Sequence, residues 1–196
     1  AEMLAKSDKE DLGCHTGTIS DAFLMLYQAG KLTGRRKEIN TGLAAWNLAS
    51  GSAELYQWLN DRPDLFYPAD VDYIHNPRNM EKLSNFISIN GGVQLDLMGQ
   101  ENAESVGTRQ LSGTGYICIY SARKDKKGQL HSNILASIPA GSTISAPRGL
   151  IQNVATEYGV AHLTGLTLKE RAYAMISVAH PAFRDELKAY ADATFK

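Results

Sequence analysis

Cysteine is scarce in this chain: Cys14 and Cys118 are the only two, far apart and each in its own hydrophobic context. That spacing offers neither a zinc-ligand pattern nor a disulfide framework, and reduced thiols are expected. His75, His131, His162 and His180 show no metal-ligand spacing with carboxylates or with one another, so no metal is expected. Long apolar runs are missing as well. No stretch approaches membrane-spanning length, and the opening AEMLAKSDKEDLG has no signal-peptide hydrophobic region, so a cytoplasmic protein without a membrane partner is expected. Neither charge sign is in excess: 20 basic and 21 acidic residues give a formal charge of −1, which removes any electrostatic reason to expect nucleic acid. Internal repeats and low-complexity tracts are also absent.

What is there fits a globular fold. With 43% hydrophobic and 21% charged residues, the 196-residue chain is large enough for one well-buried α/β domain, taken as residues 1–196. Basic clusters at Lys31–Lys37 and Arg123–Lys127 read as solvated loops.

The densest signal is Val154–Leu187. Thr156-Glu157-Tyr158-Gly159 ends a β-compatible run in a turn, and Val160–Leu163 continues apolar. Thr167-Leu168-Lys169-Glu170 has capping-box spacing and predicts a helix start. In that helix Leu168, Ala172, Met175 and Ile176 share a face, while Lys169, Glu170 and Arg171 are expected in water. His180-Pro181 stops this helix and starts another.

Earlier in the chain, a small-residue loop at Gly13–Gly17 precedes a helix over Ile19–Ala29, stopped by Gly30, with Asp21 in its first turn. Leu43–Ala49 reads as a strand and Ser52–Asn60 as a helix burying Leu55, Trp58 and Leu59. Leu65–Val71 is extended, with Pro68 arguing for an edge, and Asp72–Pro77 reads as a loop. Phe86–Asn90 and Val93–Met98 read as strands joined at Gly91-Gly92 by a tight turn or a bulge. Tyr116–Tyr120 reads as a buried strand, Lys124–Gln129 as an exposed turn, and Ile134–Ser145 as loop and strand. Alternating strands and helices predict an α/β domain.

The residue identities go further. LGxHTxxxSDxxxxLxxxG at Leu12–Gly30, YIHNP at Tyr73–Pro77, INxxxxxDLxGQxNAES at Ile89–Ser105, SGxG at Ser112–Gly115, then TEYGVA, LxERA and AHPxFRxEL follow one another in order. Together they resemble the C-terminal domain of the acetyl-CoA hydrolase/transferase family, which includes 4-hydroxybutyrate and butyryl-CoA:acetate CoA-transferases. The resemblance implies a NagB/RpiA/CoA-transferase-like open sheet flanked by helices. It also implies that this chain is the second half of an enzyme whose active site lies between two such domains. Coenzyme A thioesters and small carboxylic acids are then substrates, no cofactor is tightly bound, and an N-terminal domain or second subunit is a partner, with a homo-oligomer expected.

Family chemistry uses a glutamate that attacks the acyl-CoA thioester to give an acyl-glutamyl anhydride, splitting one transfer into easier steps. The position of that glutamate is Gly17 here. Glycine has no carboxylate, which leaves open a thioester hydrolase, with Asp21, Asp96 or Glu157 as candidate base. The structural readings beside these are a helix-start carboxylate for Asp21, a strand or loop hydrogen-bonder for Asp96 and an anchor for Glu157. The same gap leaves open a non-catalytic CoA-binding or scaffolding subunit. His15 beside Gly17 is a candidate for the thioester region. Asn90, Gly91, Gly92, Gly113 and Gly115 are candidates for binding CoA, since glycine backbone N–H groups can approach a thioester oxygen or a phosphate. Relatives also continue after Gly115 with a Gly-Gly-Gln-x-Asp-Phe-like segment that is absent here.

Overall fold

In the computed structural model, residues 1–106, 109–110 and 117–195 are described. They divide into two compact units, Ala1–Ile87 and Ser88–Lys196.

The first unit opens with a short helical turn, α1 (Glu2–Ala5), and then alternates β1 (His15–Ile19), α2 (Asp21–Gln28), β2 (Ala44–Ala49), α3 (Ala53–Asp61) and β3 (Phe66–Pro68). The three strands form one parallel sheet with β2 in the middle, in register His15 to Ala45 and Ala44 to Phe66. Pro68 therefore sits on an edge strand, where its missing N–H breaks no ladder. Cys14, Ile19, Leu24, Ala44, Leu55, Trp58 and Phe66 pack as the core of this unit. α3 starts on a side-chain cap, the Ser52 hydroxyl accepting from the Leu55 N–H, and the Asp21 carboxylate at the start of α2 accepts from the Ser52 N–H at 3.0 Å and hydroxyl at 2.6 Å. The stretch expected as a loop after β3 instead contains two helical turns, α4 (Val71–Ile74) and α5 (Pro77–Met80). The Asp70 and Asn76 side chains cap them, a local signal strong enough to nucleate single turns.

The basic stretch expected in solvent also departs from expectation at one residue. Lys37 is buried, and its ammonium donates to the carbonyls of Cys14 at 2.8 Å and Leu43 at 2.7 Å, tying together the chain segments that feed β1 and β2. Burial pulls its pKa down to about 8 and pushes the neighbouring Cys14 thiol up to about 12, so that thiol is inert.

In the second unit, β4 (Asn90–Gly91), β5 (Gln94–Asp96) and β6 (Glu101–Asn102) are followed by the antiparallel pair β7 (Ser105–Val106) and β8 (Arg109–Gln110). Next come β9 (Ile117–Cys118), the hairpin β10 (Ala122–Lys124) and β11 (Leu130–Ser132), and β12 (Ile134–Leu135). β13 (Asn153–Thr156) and β14 (Gly159–His162) form a second hairpin before α6 (Leu168–Val178) and α7 (Arg184–Thr194), with the predicted break at His180-Pro181 filled by a 3-10 turn. One sheet runs β14-β13-β9-β4, the last three parallel, and another runs β12-β5-β6. Strands β4 and β5 thus belong to different sheets, so Gly91-Gly92 is a crossing point between sheets and not the hairpin turn or bulge expected. Phe86–Ile89 is irregular, with Ile87 and Ile89 exposed. The strand expected over Tyr116–Tyr120 is confined to β9 among the described residues, and Tyr120 is 79% exposed.

The capping box forms as predicted: Thr167 Oγ accepts from the Glu170 N–H, and a Glu170 carboxylate oxygen accepts from the Thr167 N–H at 2.8 Å. Arg171, expected in water, is buried. Its Nε donates to Met98 O at 2.9 Å, Nη1 to Leu163 O at 2.9 Å, and Nη2 to Arg148 O at 2.8 Å. Three loops that would otherwise bury bare carbonyls are satisfied by one planar donor set, which outweighs the cost of desolvating the charge. Gly99 lies at φ 82°, and a Cβ there would come within 2.7 Å of the guanidinium, so both backbone angle and space call for glycine. Replacing Arg171 by Met keeps the apolar stem but strands the carbonyls, and should lower unfolding stability by roughly 3 kcal/mol or more. Denaturant titration checks this, and an unchanged midpoint would contradict it.

Candidate functional site

β1 carries His15 and Gly17 past the turn α4 and its C-terminal residue His75, and this brings two of the sequence motifs together within the first unit. His15 Nε2 lies 2.7 Å from the Ile74 carbonyl. A carbonyl only accepts, so Nε2 carries the proton and Nδ1, which is buried without a partner among the described residues, is the unprotonated nitrogen. Burial lowers the His15 pKa, against the opposing pull of the Ile74 carbonyl, and Phe86 holds the ring edge-on at 6.1 Å. His15 is therefore a neutral ring that orients the His75 turn.

Gly17 is the contact point. A Cβ built there would lie 2.8 Å from His75 Nε2 and 3.1 Å from Cε1, so the imidazole occupies the space that a side chain at this position would enter. His75 is exposed and lines an open cavity of about 360 Å³ together with Val71, Asp72, Asn76 and Pro77. In the sequence His75 belongs to the YIHNP motif and carries no role beyond a loop residue. The proximity of YIHNP to the Gly17 strand exists only in three dimensions.

The remaining candidates lie in the second unit. Gly91 pairs with Cys118, and Cys118 with Ala155, so Gly92 and Glu157 both follow the carboxyl ends of parallel strands of one sheet. Asn90 contributes its backbone to β4. Glu157 spends both carboxylate oxygens on Ser121, accepting from its N–H at 3.0 Å and its hydroxyl at 2.5 Å. Although burial pushes its pKa up, the Ser121 hydrogen bonds prevail and hold it below the usual carboxylate value. Such a carboxylate is a weak base and a good clamp. Asp96 is similarly engaged, accepting from the N–H groups of Met98 at 3.0 Å and Gln100 at 2.9 Å. Gly113 and Gly115 lie outside the described residues. Among the described residues, no group of three or more His, Cys, Asp or Glu is placed to hold a metal, and no helix is long and apolar enough to cross a membrane.

Sequence reading missed Glu101. It is fully buried in β6, neither carboxylate oxygen has a hydrogen-bond partner among the described residues, and a Cβ at Gly92 would lie 2.8 Å from Oε1. Burial raises its pKa to about 7. The glutamine, glutamate and asparagine run at Gln100–Asn102 looks solvent-facing in sequence, which is why it gave no signal.

Comparisons with known proteins identify the family of the chain. The chain matches the family profile described as the acetyl-CoA hydrolase/transferase C-terminal domain, over residues 51–116 and 114–191. It is 40% identical to the butyryl-CoA:acetate CoA-transferase of Anaerostipes caccae, over 94% of this chain and 45% of that protein. It is 36% identical to the 4-hydroxybutyrate coenzyme A transferase of Clostridium kluyveri, over 95% of this chain and 47% of that protein. Among solved structures it superposes on RipA from Yersinia pestis with a TM-score of 0.82 at 31% identity, over 98% of this chain and 46% of that one. The structure is thus an open α/β fold of the CoA-transferase kind. This chain belongs to the acetyl-CoA hydrolase/transferase family, in which it matches the C-terminal domain, and it spans about half the length of the curated relatives it matches.

The isolated carboxyl of Glu101 makes a pH prediction. A folded pKa raised from 4.5 to about 7 means that the folded state holds its proton more tightly than the unfolded chain. The stability this proton supports is complete below about pH 4.5, declines as pH rises and is gone above about pH 7. Glu101→Gln should therefore be more stable than the parent at pH 8, and the advantage should shrink towards pH 4.5. Thermal melts across that range test it, and a pH-independent difference would refute it.

Proposed function

We propose that this chain is the CoA-binding carboxyl-terminal half of an acyl-CoA hydrolase/CoA-transferase-like enzyme. It acts in the cytoplasm on CoA thioesters and small carboxylic acids, with an N-terminal partner domain on the same chain or another subunit, in a homo-oligomer and without a tightly bound cofactor. On this reading Asn90, Gly91, Gly92, Gly113 and Gly115 are the candidates for binding CoA, Gly113 and Gly115 lying outside the described residues.

Of the two reactions, hydrolysis is favoured by one observation: Gly17 stands where the family glutamate is expected, and the His75 imidazole fills the adjoining space. A glycine forms no acyl-enzyme anhydride, so the direct nucleophile is water. His75 takes a proton from the water as its oxygen bonds to the thioester carbonyl carbon. The carbon–sulfur bond then breaks, and the departing thiolate recovers the proton from His75. His15, held by Ile74, positions the turn that carries His75. The carboxylates of Asp21, Asp96 and Glu157 are bound to their own neighbours, which supports assigning the base to the histidine.

Release of free thiol from short-chain and dicarboxylic acyl-CoAs by the full-length protein tests the proposal. Hydrolysis without incorporation of labelled acetate is expected, and His75→Ala should slow it about 100-fold or more while leaving the fold intact by circular dichroism. Thioester left untouched across the panel would sink the enzyme reading and leave the non-catalytic CoA-binding subunit in its place. A second experiment addresses the lost nucleophile. Gly17→Glu must push the His75 ring aside, a small cost because that ring is an exposed side chain. Acetate exchange should therefore appear in Gly17→Glu and increase when it is combined with His75→Ala. Absence of exchange in both variants would mean that the transferase site has lost more than its carboxylate.

A further inference from the structure

The cavity beside His75 is built to choose among thioesters by charge. Its lining comes from one short stretch of chain: Val71 and Asp72 in α4, His75 at the end of that turn, and Asn76 and Pro77 at the start of α5. Asp72 and His75 stand three positions apart on a helical turn, the spacing that sets two side chains on one face. Carboxylate and imidazole therefore border the same space, and both are exposed to whatever enters it.

Charge in this lining has one sign. The nearby Asp70 spends its carboxylate on the cap of α4, accepting from the Tyr73 N–H at 2.8 Å. Asp72 makes no ion pair among the described residues. Neither lysine nor arginine is among the lining residues described, and Arg78, the nearest of either in sequence, lies outside the cavity. Val71 and Pro77 supply apolar surface. A carboxylate placed beside His75 thus meets an uncompensated like charge, whereas an alkyl chain meets hydrocarbon and no charge of its own to oppose.

We propose that Asp72 is the specificity-determining residue of this site: it admits thioesters of uncharged acyl groups and turns away carboxylates, both the far end of a dicarboxylic acyl group and a free acid. The inference rests on the proposed placement of the thioester beside His75. It also gives that site a preference between its two reactions. Transfer requires a free acid to settle where the product acid leaves, while hydrolysis requires only that the product acid depart. An unpaired anion at the cavity wall hinders the first and assists the second.

The full-length protein assayed on butanoyl-CoA and succinyl-CoA tests this, because the shared CoA moiety cancels in the ratio of the two kcat/KM values. Butanoyl-CoA should be preferred in the parent. Asp72→Asn, almost unchanged in size, should reduce that preference about fivefold, the effect of one unit charge a few ångströms away in water. Added salt should reduce it in the parent and leave the ratio of the variant alone. Inhibition by butanoate should tighten in Asp72→Asn more than inhibition by butanamide, its uncharged isostere. A merely structural role for Asp72 would change both thioesters alike and leave the ratio where it was. Equal rates on the two thioesters in the parent, or an unchanged ratio in Asp72→Asn, would overturn the assignment of Asp72 while hydrolysis at His75 stood. Thiol released from neither thioester would instead remove the hydrolysis reading, and the role of Asp72 with it.

Discussion

The second unit hangs on the guanidinium of Arg171. One charged group, carried into the interior by the second turn of α6, donates to carbonyls of the Met98 turn, the Leu163 loop and the Arg148 loop. Loops cannot be buried with bare carbonyls, and these have no ladder to join. The arginine therefore lets loop backbone lie against the apolar cluster of Leu97, Leu163, Met175 and Ile176. It also ties the strand β5, whose Asp96 organises the Met98 turn, to the helical terminus.

The first unit solves the same problem with a lysine. Lys37 enters between the segments leading into β1 and β2 and satisfies the Cys14 and Leu43 carbonyls. In both units a cation does structural duty through hydrogen bonds to backbone, with no carboxylate bonded to it among the described residues. Lys37 and Arg171 are thereby removed from the pool of free basic side chains. Of the two basic stretches, Arg123–Lys127 remains at the surface as a hairpin tip.

Glu101 and Gly17 are opposite departures from an economical design. Glu101 places a carboxyl where nothing among the described residues receives it, and Gly17 stands where the resemblance to the family expects a glutamate. The first costs stability as pH rises, since only the protonated form suits an unpaired buried site. The second opens room that His75 fills, the residue to which the proposed hydrolysis gives the role of base. Each residue is intelligible only with its neighbour, Gly92 for Glu101 and His75 for Gly17.

Local chemistry was legible in the sequence because it is written in neighbouring residues. The capping box at Thr167–Glu170, the helix break at His180-Pro181, the edge strand at Pro68 and the alternation that makes an α/β fold all depend on contacts a few residues apart. The ordered motifs carried the family for the same reason: they are identities read along the chain. Contacts made across the chain were not legible. Helical spacing assigned Arg171 to water because periodicity knows only faces, and the demand for its donors comes from loops 8 to 73 positions away. The Gly91-Gly92 step read as a tight turn or a bulge because adjacent strands commonly pair, whereas here each strand found its partner in a different sheet. Sequence determined the family and the absence of a carboxylate at position 17. Tertiary structure decided what stands in that space, since only folding carries a histidine 58 residues further along the chain against the glycine.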